Sequence, residues 1–209
     1  MKDEMDILRE VGSISAAHGS IALSQILGRK INLHLPSLDV FPVETILNKL
    51  STDQIVISVS SHILTQLKGY ILFILDEKSA FKLIDICYKI KKNDKEVGSP
   101  TEMGMSLIKE VGGVVIASYI GSLSIMLNTL IIPSIPTLTS GPIQEIIGIA
   151  VSPYSREEYI LLIEAIFEEA EKNIKGSFYL ILSPEAMRYI QDACKKILKS
   201  LEVELKNGR

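Results

Sequence analysis

Residues 6–28 read DILREVGSISAAHGSIALSQILG, and residues 106–128 read SLIKEVGGVVIASYIGSLSIMLN. Self-similarity over such a length sets the number of structural units before any single element is assigned. At an offset of 100, Glu10, Val11 and Gly12 meet Glu110, Val111 and Gly112; Ala17 meets Ala117; Leu23 and Ser24 meet Leu123 and Ser124; Pro36 and Pro42 meet Pro136 and Pro142. This register runs without a gap from residue 6 to about 47. Beyond it the second half carries seven extra residues, and the match resumes at an offset of 107, where KGYILFIL (68–75) faces KGSFYLIL (175–182). Asp85 then faces Asp192, and Cys87 faces Cys194. The chain is therefore expected to be a tandem duplication, residues 1–92 and 99–209, joined by the charged stretch KKNDKEVGS. Two copies of this length are too few and too long for a solenoid. Each copy alone leaves an apolar face uncovered, so a single pseudo-two-fold domain is expected.

Composition permits this. A chain of 209 residues buries roughly 70% of the surface it exposes when unfolded. Its 47% hydrophobic residues and net charge of −3 speak against disorder and against bulk attraction to nucleic acid. Cys87 and Cys194 form no C-x-x-C or Cys/His cluster, which argues against a zinc site or disulfide scaffold and fits a reducing cytoplasm. The opening MKDEMDILRE lacks the basic and then apolar pattern of a secretory signal. No charged residue occurs from Val111 to Gln144. That stretch raises the question of a membrane span, but Pro133 and Pro136 interrupt it and its counterpart carries His18, Arg29 and Lys30. A core helix, with no membrane insertion, is expected.

Each copy predicts the same elements in the same order. A long helix comes first (about 3–28 and 100–128), with Ile7, Leu8, Val11, Ile14, Leu23, Ile26 and Leu27 at helical spacing. Gly12, Gly19, Gly113 and Gly121 lie inside these helices. Each glycine costs up to about 1 kcal/mol relative to alanine, so close packing of the two related helices is expected. A short strand with turn prolines follows, then a helical turn (42–50 and 142–148), then two strands forming a hairpin. In the first copy QIVISVSSH alternates like a half-buried strand, whereas GYILFIL is unbroken like a buried one. Closing helices are predicted at 79–90 and 184–198, the latter with Pro184 near its start. The fold class is thus α+β: a largely antiparallel sheet, two long surface helices adjacent about a pseudo-two-fold axis, and additional packing helices.

On the first long helix Asp6, Glu10 and Ser13 fall within roughly a 60° arc at 100° per residue; Ser106, Glu110 and Gly113 do the same on the second. Spacing alone makes this the wet stripe of an amphipathic helix. Glu10 and Glu110, however, recur across the two halves, whereas His18 and Ser118 differ. At these residues the chain resembles the CheC family of chemotaxis phosphatases, which also includes CheX and FliY. The family motif is D/S-x-x-x-E-x-x-N, then 22 residues, then Pro. The spacing is met by Asp6, Glu10, Ser13 and Pro36, and again by Ser106, Glu110, Gly113 and Pro136. EVGSISAAHGSIALSQILGRKI is the phrase that carries the resemblance, which spans essentially the whole chain.

The resemblance implies an activity on phosphorylated CheY, with two potential sites. The family's Asn enters the regulator's active site and orients water for in-line attack on the aspartyl phosphate; the Glu pairs with a regulator lysine. Here the Asn position holds Ser13 in one copy and Gly113 in the other. A serine hydroxyl ends about an ångström short of a carboxamide, and a 1 Å misplacement costs on the order of 100-fold in rate. Glycine offers no group at all. Docking is therefore expected to outlast catalysis. The alternative is a non-catalytic protein of the same fold that binds a CheY-type regulator, the receptor deamidase CheD, or both. No cofactor or metal of its own is implied, since the regulator brings its magnesium. His18, His34 and His62 are scattered and read as surface or cap residues; the two cysteines read as core.

Overall fold

The computed structural model describes residues 2–49, 54–91, 102–156 and 158–207; apart from Lys91, the expected linker falls outside them. The first half forms α1 (Lys2–Leu27), β1 (Asn32–Pro42), α2 (Val43–Lys49), β2 (Ile55–Ile63), β3 (Gly69–Asp76) and α3 (Glu77–Lys91). The second forms α4 (Glu102–Met126), β4 (Thr137–Pro142), α5 (Ile143–Val151), β5 (Tyr159–Glu169), β6 (Ile174–Leu182) and α6 (Pro184–Asn207). Both halves follow one order of elements, and the fold is α+β as expected.

All strands join one six-stranded antiparallel sheet, in the order β1-β5-β6-β3-β2-β4. Exchanging every strand for its counterpart in the other half returns this order reversed, so the sheet is arranged about a pseudo-dyad. The axis passes through the Leu72–Tyr179 pair, whose two members occupy equivalent places. Each half lends its first strand to the other: β1 pairs with β5 and β4 with β2. These registers also locate the seven extra residues, four between α5 and β5 and three in the β5–β6 hairpin.

The sheet is covered on both faces. One face carries Ile57, Val59, Phe73, Ile163, Phe167, Phe178 and Leu180 against the four longer helices. The other carries Val56, Leu72, Ile74, Leu162 and Ile181 under α2 and α5. Double coverage explains why β3 is unbroken in its apolar run and buried along most of its length. It also corrects the expectation for β2, which is buried at six of its nine positions rather than on one face, including Ser58 and Ser61. Alternation of serine with valine and isoleucine records small polar residues tolerated inside, not an exposed face.

The long helices end alike. Gly28 (φ +62°) follows α1, and Asn128 (φ +47°), at the equivalent place, follows α4; glycine and asparagine are the residues that adopt this left-handed cap at least cost. In both, a serine closes the turn, with Ser24 Oγ donating to the Arg29 carbonyl and Ser124 Oγ to the Thr129 carbonyl, each at 2.5 Å. A half-turn about an axis normal to the sheet reverses any helix lying along it, so α1 and α4 run antiparallel. They meet where Ser118 Oγ donates to the His18 carbonyl at 3.0 Å. The glycines serve a different contact from the one expected. Gly12 lies over Ile163 of β5 and Gly112 over Val59 of β2, symmetry-related approaches of helix to sheet; only Gly19, near Tyr119, sits at the helix crossing.

Candidate functional site

Helical spacing places the motif side chains of each half on the outer face of a long helix whose opposite face is packed on the sheet. Asp6, Glu10, Ser106 and Glu110 are exposed, and Ser13 and Gly113 are half-buried. The two faces are equivalent in position but not in chemistry.

On α1 the Ser13 Oγ donates to the Arg9 carbonyl oxygen at 2.8 Å. Serine back-bonds of this kind satisfy the hydroxyl within the preceding turn. The single hydroxyl proton is thus committed to the helix, and only oxygen lone pairs face outward. Such a group can accept from a water but cannot also donate to a phosphoryl oxygen without breaking the back-bond. A carboxamide at this position would carry two donors and an acceptor beyond the reach of the Arg9 carbonyl. Arg9 Nη1 lies 3.5 Å from Asp6 Oδ1, with both side chains more than half exposed, a pair that contributes little to stability. Pro36 lies on β1; its side chain is outside those described.

On α4 the four motif positions come together. Ser106, Glu110, Gly113 and Pro136 line a shallow depression of about 490 Å³ with Lys109, Val114 and Ala117. A Cβ at position 113 would stand 3.2 Å from Pro136 Cγ, so glycine lets the segment before β4 close onto the helix. A smaller hollow beside it, about 170 Å³, is lined by Cys87, Tyr88, Met103, Ser106, Leu107 and Glu110. Cys87 is buried, as expected; the Cys194 side chain is outside those described. Behind the two motif faces Tyr119 is buried against Phe178, with ring centroids 6.0 Å apart. Burial pushes its phenol well above the usual tyrosine range, so it stays neutral.

The histidines are exposed and stand apart from the motif. His34 Nε2 is 3.7 Å from a Glu168 carboxylate oxygen, and the His62 ring packs edge-on to Tyr70 at 4.0 Å. Helix α4 has the length and composition to cross a membrane, but Ile108, Val111, Val115, Ile116 and Leu123 are packed in the core. Sequence reasoning missed one polar feature. Glu169 is 1% exposed, and its carboxylate accepts from the Lys172 N–H at 2.7 Å, the Glu171 N–H at 3.2 Å and Arg29 Nη1 at 3.5 Å. These contacts hold the β5–β6 turn against the end of α1, beside a groove of about 660 Å³ that also involves Lys82 and Asp85. The only signal for it was the length difference between the halves.

No protein-family model matches the chain. It is 25% identical over 184 residues, 86% of this chain and 88% of the other, to the CheY-P phosphatase CheC of Bacillus subtilis (strain 168). Its fold is similar to that of Thermotoga maritima FliY, with a TM-score of 0.71, 22% identity and coverage of 94% of this chain and 98% of that one. It is also similar to a chain of the CheX–CheY complex of Borrelia burgdorferi solved with BeF3 and magnesium, with a TM-score of 0.52, 15% identity and coverage of 82% and 96%. In sequence the chain is thus similar to a CheC protein, and in fold to FliY and CheX.

Proposed function

We propose that this is a cytoplasmic chemotaxis protein that docks a phosphorylated CheY-type response regulator on the outer face of α1, with weakened hydrolysis of the aspartyl phosphate. The observation that carries this is the placing of exposed Asp6 and Glu10 and half-buried Ser13 on one face of α1, in a chain 25% identical to a CheY-P phosphatase. Glu10 is assigned to anchoring the regulator and Ser13 to a shortened water-positioning role. We assign Ser106, Glu110 and Gly113 to a second, degenerate site that has no side chain at the position of the chemistry.

A second reading has its own support. The back-bond from Ser13 to Arg9 takes up the proton a water-positioning group would use, which favours an adaptor that binds a CheY-type regulator, or CheD, with little turnover. Phosphate release from a cognate phosphorylated CheY decides between the two. Ser13→Asn is expected to raise the rate at least about tenfold, about 1.4 kcal/mol of barrier. Glu10→Ala should weaken regulator binding in either case, because loss of one member of a charge pair acts on association before chemistry. A Ser13→Asn variant that binds normally without a rate gain would replace the phosphatase reading with the adaptor.

A further inference from the structure

The charge-free stretch from Val111 to Gln144 is only partly explained by the core. On α4, Val114, Ala117, Gly121 and Ile125 form an exposed stripe, and the segment returning to β4 adds exposed Leu130, Ile132 and Ile135. Ile125 is 80% exposed, Leu130 71% and Ile135 83%. The two borders of this surface touch where Pro136 meets Gly113. Large apolar side chains scattered singly need no explanation, but a continuous group of them marks an interaction surface.

The other half of the molecule supplies an internal control. Positions 25, 30 and 32 are equivalent to 125, 130 and 132 and are also exposed, yet they hold Gln25, Lys30 and Asn32. The fold therefore accepts polar residues at these places. Isoleucine and leucine there serve something outside the chain.

We propose that this face is the interface of a homodimer, formed by α4 and residues 130–136 of two copies about a two-fold axis. Charge selects this occupant. An isologous contact sets a patch against itself, which like charges oppose and an uncharged patch allows. A strongly charged partner face would instead lose its hydration against a surface with nothing to pair it. The exposed stripe from Val114 to Ile125 is about 17 Å long at 1.5 Å per residue. With the returning segment it offers an apolar centre for a two-fold contact, a standard interface covering about 800 Å² per partner. Lys109 and Glu110, beside the depression, form the polar rim. The surface shares Glu110 and Gly113 with the degenerate site on α4 but none of the α1 motif residues, and sedimentation reads association rather than phosphate release, so its test does not depend on the proposed activity.

Sedimentation velocity of the full chain from about 1 to 100 μM, a range bracketing common homodimer affinities, is expected to show twice the mass of the 23.1 kDa chain. The triple variant Ile125→Gln, Leu130→Lys, Ile132→Asn, which installs the residues of the first half, should weaken dimerisation at least tenfold with an unchanged melting temperature of the monomer. Raised salt should leave the wild-type dimer intact. A wild-type chain monomeric at about 100 μM, or a dimer unaffected by the triple variant, overturns the proposal. In the monomeric case, co-sedimentation with phosphatidylcholine vesicles would assign the face to a lipid surface instead.

Discussion

At the level of single residues the pseudo-dyad pairs unlike solutions to one geometric demand. Gly12 and Gly112 both let a long helix approach the sheet, but a Cβ at 112 would lie 2.6 Å from Val59 Cβ, whereas one at 12 would meet Ile163 at 3.4 Å. Gly112→Ala should therefore overpack the core and cost about 1–3 kcal/mol. Gly12→Ala should be much milder, because a gain in helix propensity of up to about 1 kcal/mol offsets the contact. Urea unfolding of both variants checks the order, and equal effects would show that the two helices do not approach the sheet as described. The motif was legible at this scale because spacing alone puts Asp6, Glu10 and Ser13 on one face. The Ser13 back-bond was not, since serine bonds its own turn or points outward with no difference in sequence. Gly113 was legible as a missing side chain, but its closeness to Pro136 depends on how the chain returns from α4.

Whole elements were legible wherever apolar periodicity ran long. The helices begin within a few residues of the expected places, because burial on one face or two writes itself into the spacing, although α6 runs nine residues past its expected end at 198. Sidedness was less legible for β2, where Ser58 and Ser61 sit in the interior yet imitate an exposed face. The closing helices show how one position is filled in two ways. Asp76 Oδ1 accepts from the Ser79 N–H at 2.6 Å at the start of α3, and Ser183 Oγ accepts from the Ala186 N–H at 3.0 Å at the start of α6. These are N-caps three residues ahead of their donors. Asp76→Ala and Ser183→Ala should each cost about 1 kcal/mol, and calorimetry of the two variants should show additive losses, since the caps share no partner.

For the molecule as a whole, the decisive property is that neither half owns a complete set of strands. From sequence, two repeats are visible, but whether they stand side by side or interleave depends on which strand pairs with which, and pairing leaves no local trace. In the sheet, β1 completes the β5–β6 hairpin and β4 completes the β2–β3 hairpin, while β3 and β6 close the centre. We infer that this is how a tandem duplication of residues 1–92 and 99–209 covers the apolar face that one repeat leaves open. It follows that the halves should not fold separately. Expressed alone, residues 1–92 would hold the β2–β3 hairpin with both edges uncovered, and β1 without a partner, an arrangement that is at best marginally stable in water and prone to edge pairing. Each half by itself should therefore give weak near-ultraviolet circular dichroism and aggregate. Mixed in equal amounts, the two should recover the spectrum of the intact chain and elute as a 1:1 complex, because every strand then finds the neighbour it has in the sheet. The linker's only energetic role would be to raise the effective concentration of one half for the other. If residues 1–92 or 99–209 alone instead unfolded cooperatively as a monomer, the interleaving would not be what stabilises the fold, and the two repeats would have to be regarded as independent domains.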